Sequence, residues 1–292
     1  GSHTCLLLLE KGYKLTIVDS NVNSSPLSID RVKKLVKNKF VQNKISFFKG
    51  DLRDKLFLSR VFIEAIEGKN PIEGVIHFAG LKSVSDSVIN PLNYWQVNLI
   101  GTINLLEAMD QYNCKTIVFS SSAAVYGRSD KKLISEEHDV RPINPYGQTK
   151  ATIEKILFDL FNSDSLNWKI ANLRYFNPIG AHQSGLIGED PNEIPNNIFP
   201  IINRVAMRKL KKVNIFGNDW PTFDGTGIRD YIHVMDLAEG HLAVLEYLFN
   251  QNCQFININL GTGEGTSVLE LINIFQTVNN VQVPFEFVEK RK

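Results

Sequence analysis

The sequence predicts an α/β fold built on a doubly wound, Rossmann-like parallel sheet, with a smaller α/β lobe. Two observations point to it. Short apolar runs of strand length alternate with longer stretches of helical period, the pattern of strand-helix-strand units. Several of the runs end on an acid, on small residues or on hydroxyls, where open parallel sheets bind ligands. The chain has 292 residues, 43% hydrophobic and 22% charged, enough for one large or two modest domains.

Gly1-Ser2-His3 could be an expression scar, but Thr4 to Lys11 reads as a helix that Gly12 stops. Lys14–Asp19 reads as a buried strand ending in an acid. Helix, strand and terminal acid are the second half of a dinucleotide-binding βαβ unit. Such an acid lies about 20 residues past the glycine loop, which puts the last loop glycine near Gly1 and the first strand before this chain. The plain alternative is a surface Asp closing a strand. Ile29 to Val41 looks helical, with Lys33, Lys34, Lys37 and Lys39 as a solvated face. Ile45–Phe48 is a strand leading to Gly50-Asp51-Leu52; Asp51 either reaches an adenine amino group or caps the helix Lys55 to Glu67.

Gly74 to Gly80 is a strand ending on small residues that let a cofactor approach the backbone. Lys82 follows, and Asn90-Pro91 opens a long helix to about Tyr112. Asn98 lies inside it, facing solvent or donating to a ligand. Lys115 to Ser120 is a strand running into the hydroxyl cluster Ser120-Ser121-Ser122. Asn144 caps and Pro145 starts the next helix. Tyr146 and Lys150 are then one turn apart on one face. A tyrosine base at neutral pH needs its pKa of ~10 lowered by roughly 3 units, about 4 kcal/mol. An ammonium about 4 Å away at an effective dielectric of about 20 supplies about that much. By itself, this spacing also arises by chance.

Trp168–Leu173 is the next strand. Residues 180–230 are rich in Gly, Pro and Asn, with one clear helix from Asn197 to about Leu210. Ile194, Ile198, Phe199, Ile201 and Ile202 make this a packed lobe and not a linker. Asp230–Val234 and the helix Met235–Phe249 read as a return to the main sheet. Phe255–Leu260 is a strand, Val268 to Val278 a helix and Val283–Val288 a final strand. The expected division is a dinucleotide-binding domain of 1–176, rejoined by about 228–250, and a substrate lobe of 177–227 and 251–292.

Composition excludes other classes. A net charge of +1 without a basic run gives no case for nucleic acid or membrane. Apolar runs such as Cys5–Leu9 are far too short to span a bilayer, and no signal peptide is visible. Cys5, Cys114 and Cys253 read as reduced thiols of a cytoplasmic protein. The histidines form no metal-ligand pattern, so no metal is expected.

Many motifs in order then carry a resemblance. They include Phe78-Ala79-Gly80-Leu81-Lys82, Phe119-Ser120-Ser121-Ser122, Pro145-Tyr146-Gly147, and Leu173-Arg174-Tyr175-Phe176-Asn177-Pro178. Gly188-Glu189-Asp190-Pro191, Ile215-Phe216-Gly217-Asn218-Asp219 and Asp224-Gly225-Thr226-Gly227 follow, the last leading to Arg229-Asp230-Tyr231-Ile232-His233-Val234. The chain resembles the extended short-chain dehydrogenase/reductase family, in its branch that epimerises UDP-hexoses at C4. The resemblance implies NAD as cofactor, UDP-glucose and UDP-galactose as substrates, a role in galactose metabolism, and a homodimer as the candidate assembly. It implies Ser122, Tyr146 and Lys150 as the catalytic set, all three touching cofactor, and Ser122 and Tyr146 also touching substrate. Asp19, Asn21, Asn23 and Ser24 would hold the adenosine ribose, and Asp51 and Leu52 the adenine. Phe78, Ala79, Gly80, Lys82 and Asn98 would line the cofactor, with Lys82 near its pyrophosphate and also touching substrate, and Phe176 by the nicotinamide. Asn177, Asn197, Ile198, Asn214, Ile215, Phe216, Arg229 and Arg291 would hold the sugar nucleotide. Three departures stand out: the first strand and most of the phosphate loop would precede Gly1, a last stretch would follow Arg291, and Ala124 replaces a common Thr. The first two make a fragment of a longer polypeptide the expectation. The related 4,6-dehydratases need an Asp-Glu pair where this chain has Ala123-Ala124. A non-catalytic NAD-binding relative is the rival of another class.

Overall fold

A computed structural model describes residues 1–290 apart from 37, 130, 132, 165, 191–194 and 196 and the side chain of Lys39. In chain order the elements are α1 (Ser2–Glu10), β1 (Leu15–Asp19), α2 (Leu27–Leu35), α3 (Lys39–Gln42), β2 (Ile45–Lys49), α4 (Lys55–Glu67) and β3 (Val75–His77). Then come α5 (Val84–Ile89), α6 (Pro91–Tyr94), α7 (Gly101–Gln111), β4 (Thr116–Ser122), α8 (Pro145–Ser163), β5 (Lys169–Tyr175) and β6 (Asn177–Ile179). The rest are α9 (Ile198–Ala206), β7 (Val213–Phe216), β8 (Ile228–His233), α10 (Val234–Asn250), β9 (Gln254–Leu260), β10 (Gly265–Ser267), α11 (Val268–Asn279) and β11 (Phe285–Val288).

The chain divides into two compact units. The first comprises Gly1–Tyr175 and Met235–Leu260, the second Phe176–Val234 and Gly261–Lys292. In the first, β1 pairs with β2, and β3-β4-β5-β9 form a sheet, every pairing parallel. Strand alternation makes it doubly wound. Ile117, Phe119 and Ile170 point to a core shared with α4, α7 and α8, where Phe57, Leu58, Leu105, Met109, Ile153 and Leu157 are buried. Val118, Ala171 and Leu173 point the other way, to Leu8 of α1 and Leu242, Leu245 and Leu248 of α10. This parallel α/β architecture is the expected fold class.

In the second unit β8 lies between β10 and β6, and β7 pairs with β11. Ile202, Val205, Val213, Ile215, Leu271, Ile272 and Val283 form its core, with Ile198, Phe199 and Ile201 packed against it. Ile194 lies outside the described residues.

The structure differs from expectation in three places. Strand β9 pairs with β5 from Lys169–Gln254 to Tyr175–Leu260, so 254–260 belong to the first unit and not to the lobe. Strand β8 stays in the second unit, because its edges are taken by β6 and β10; the chain rejoins the first unit only at Met235. The long helix from Pro91 is interrupted by a π-helical turn, Trp95–Ile100. No helix among the described residues is long and apolar enough to cross a membrane.

Candidate active site

The start of α8 sets the site. The Asn144 side chain accepts from the Gly147 amide at 2.8 Å, and Pro145 needs no partner for the amide it lacks. A Cβ on Gly147 would lie 2.7 Å from the Ala124 carbonyl oxygen, so glycine lets the helix rest directly on the turn after β4. That contact brings the Tyr146 phenol to the Ser122 hydroxyl, its hydrogen-bond partner. Ser122 Oγ also accepts from the Ala124 amide at 3.2 Å.

One turn on, the Lys150 side chain is buried and its Nζ donates to the Ser120 carbonyl at 2.7 Å. The Nζ lies 5.9 Å from the centre of the Tyr146 ring. Burial pushes the Lys150 ammonium down to about 8, against the opposing pull of Glu154. Burial also pushes the Tyr146 phenol up, partly offset by the bond from Ser122. In this structure desolvation of the phenolate outweighs the favourable contacts, and the lysine's hydrogen bond goes to the strand carbonyl.

Asn98 sits in the π turn, a feature frequent at functional sites. It is 1% exposed and does not face solvent. Its Oδ1 accepts from Leu81 N at 2.7 Å, and its Nδ2 donates to Leu81 O and to Thr149 Oγ1, each at 3.1 Å. The amide thus clamps the loop after β3 to α8. Gly80 in that loop has φ +152°, a conformation side chains disfavour. Ala79 and Lys82 are exposed beside it, and Phe78 packs against the His241 ring at 4.7 Å.

At the end of β1, Asp19 Oδ1 accepts from Asn21 N (2.7 Å) and Ser24 Oγ (2.9 Å). Asn21 Nδ2 donates to Ser24 Oγ at 2.8 Å, while Asn21 Oδ1 is buried without a hydrogen-bond partner. Asn23 is exposed in the same turn. A strand-end carboxylate beside an orphaned acceptor suits the hydroxyls of a ribose, so these residues fit a dinucleotide. Asp51 is held by Arg53 through Nη2 at 2.7 Å, which holds its carboxyl below the usual range, and Leu52 is half-buried next to it.

Within the second unit, Asn177 Nδ2 donates to the Asp230 carbonyl at 3.1 Å, and Phe176 is half-buried. Asn197 is exposed just before α9, and Ile198 opens that helix. Asn214 is exposed on β7 and Phe216 half-buried, but Ile215 points into the core, so only its backbone can meet a ligand. Arg229 is exposed on β8, with Nη1 donating to the Ile228 carbonyl at 2.6 Å. Arg291 lies outside the described residues.

Thr149, Glu154 and Arg174 escaped the sequence reading as site residues. For Glu154 a signal existed: it follows Lys150 by the same four residues that separate Lys150 from Tyr146.

Comparison with known proteins places this geometry in context. The family profile described as GDP-mannose 4,6 dehydratase matches residues 1–282. The chain is 50% identical over 291 residues to a UDP-glucose 4-epimerase of Bacillus subtilis (strain 168), an alignment covering 100% of this chain and 82% of that one. Among solved structures it is similar to a UDP-glucose 4-epimerase from Bifidobacterium longum in complex with NAD+ and UDP. That match has TM-score 0.92 and 44% identity, covering 99% of this chain and 83% of the other. It is also similar to one from Stenotrophomonas maltophila with bound NAD and formylated UDP-arabinopyranose, with TM-score 0.93 and 42% identity over 100% and 83% of the two chains.

Proposed function

The chain belongs to the UDP-glucose 4-epimerases of the extended short-chain dehydrogenase/reductase family, and on that premise we propose how its own residues work. The chain is an isomerase that interconverts UDP-galactose and UDP-glucose with NAD as cofactor. The observation that carries the residue assignment is the convergence of Ser122, Tyr146 and Lys150 where α8 rests on the turn after β4.

Tyr146 takes the proton of the sugar's 4-hydroxyl. Ser122 bonds the same oxygen and relays that proton to the phenol. When bound, NAD would supply reversible hydride chemistry at the sugar's C4, and Asp19, Asn21, Ser24 and the loop Phe78 to Lys82 would hold it. Tyr146 works as a base only when ionised, and burial opposes that. Ser122 and the Lys150 ammonium are the groups of this chain that favour the phenolate. Lys150, at about 8, keeps most of its charge at neutral pH.

Asp19, Asn21 and Ser24 are proposed to hold the adenosine ribose, Asp51 and Leu52 the adenine, and Phe78 to Lys82 the rest of the cofactor. Asn98 acts by placing that loop. The first unit is then the NAD-binding body. The second is proposed to hold the nucleotide through Asn177, Asn197, Ile198, Asn214, Phe216, Arg229 and the Ile215 backbone, with guanidinium donors suited to a diphosphate. The free thiols Cys5, Cys114 and Cys253 support a cytoplasmic location. The test is incubation of the full polypeptide with NAD and UDP-galactose, with product read by a UDP-glucose dehydrogenase. Formation of UDP-glucose is expected; its absence from protein that binds both ligands would overturn the reading.

A further inference from the structure

Beside the reacting groups lies a buried ion pair that this chemistry does not use. Arg174 Nη2 donates to Glu154 Oε2 at 2.6 Å, and its Nε donates to Oε1 at 3.0 Å. The Ser121 hydroxyl donates to the same Oε1. Arg174 Nη1 donates to the Tyr126 hydroxyl and to the Glu136 carbonyl, each at 3.1 Å. Arg174 is 4% and Glu154 7% exposed. Desolvation offsets much of the attraction in such a pair, so stability alone is a weak reason for it.

Its placement suggests a stronger reason. Glu154 stands one turn beyond Lys150 on α8. Ser121 stands between Ser120, whose carbonyl receives Lys150, and Ser122, which meets Tyr146. Arg174 precedes Tyr175, whose hydroxyl meets the Ser120 hydroxyl. One carboxylate therefore ties the helix carrying Tyr146 and Lys150 to the strand carrying Ser122, and Arg174 ties both to β5.

We infer that Glu154 and Arg174 are positioning residues for the reaction proposed above, holding α8 and β4 in the register that unites Tyr146, Lys150 and Ser122. The inference rests on that reading of the reaction. Glu154 has a second effect, since its charge favours the Lys150 ammonium. The other groups around Lys150 among the described residues do not replace it. Tyr146 shares its helix; His77 of β3 is kept neutral by burial, at about 3; Arg174 of β5 is neutralised by Glu154; and β4 offers the Ser120 carbonyl and the Phe119 ring.

The test compares Glu154→Gln with the double variant Glu154→Gln/Arg174→Met in the full polypeptide with NAD. The single variant strands the Arg174 charge; the double removes it. In both, kcat should fall by about 10- to 100-fold, as sub-ångström misplacement of reacting groups allows, with UDP and NAD affinities held. In the single variant the alkaline limb of the kcat profile should also move to lower pH, because Lys150 loses its carboxylate neighbour while the Arg174 charge stays; in the double variant, where both charges go, it should move less. A folded double variant with wild-type kcat would overturn the inference. So would activity that merely follows melting temperature and returns with it in the double variant. Should neither variant fold, Ser121→Ala leaves the ion pair intact. A lowered kcat at an unchanged melting temperature supports the positioning role there, and wild-type kcat refutes it. An inactive wild type would overturn the reaction as well; an active wild type with silent variants overturns this inference alone.

Discussion

Replacing Lys150 by Met should stabilise the protein while abolishing its chemistry, and the gain should vanish at high pH. Burial drops the Lys150 pKa from 10.5 to about 8. At about 1.36 kcal/mol per unit, holding this charge in the folded state costs about 3 kcal/mol at neutral pH. Because the folded pKa lies below the unfolded one, the unfolded chain binds the extra proton between about 8 and 10.5. Unfolding free energy therefore rises with pH across that window and gains nothing below it. Met keeps the stem and discards the charge. It also leaves the Ser120 carbonyl, now bonded at 2.7 Å, without its donor. That loss costs about 1–3 kcal/mol, leaving a net gain on the order of 1 kcal/mol at pH 7. The experiment is best run in a Tyr146→Phe background, which removes the neighbouring phenol's own titration. Urea unfolding followed by circular dichroism at pH 7 and pH 10.5 gives the difference between variant and parent at each pH. That difference should fall by about 3 kcal/mol between the two, because the parent alone sheds the buried charge. A difference independent of pH would refute the burial argument for Lys150.

The other predictions concern the reaction, the helix contact and the cofactor. Tyr146→Phe should lower turnover of UDP-galactose by about 10²- to 10⁴-fold with UDP affinity unchanged, and combining it with Lys150→Met should add little further loss. Wild-type turnover in Tyr146→Phe would remove the base from the mechanism. Gly147→Ala sets a Cβ 2.7 Å from a backbone oxygen, so α8 must move. Overpacking of this kind costs about 1–3 kcal/mol, and both melting temperature and kcat should fall; an unchanged kcat would show that the contact is not needed. The Asp19 carboxylate should make the full polypeptide bind NAD more tightly than NADP, since it repels a 2′-phosphate. Equilibrium titration with both dinucleotides measures this, and tighter NADP binding would contradict it.

Local rules made much of the protein legible from its residues. Apolar runs, the Asn144-Pro145 start and the four-residue spacing of Tyr146 and Lys150 depend on contacts within a turn or a strand, so they survive without knowledge of the fold. The π turn at Trp95–Ile100 lacked such a signal, and the buried Asn98 bonds across to Leu81 and Thr149, 17 and 51 residues away. Strand β8 looked like a return to the main sheet because its pattern does not say which edges it will meet. The state of Tyr146 is likewise not set by spacing alone. Spacing places a cation one turn away, but burial and the competing Ser120 carbonyl decide what that cation does. Glu154 is held by Arg174, 20 residues on, and Ser121, 33 residues back. Helix faces and strand ends were therefore fixed by residues a few positions apart. Strand partners, desolvation and the ion pair behind the reacting groups were decided only when distant segments packed together.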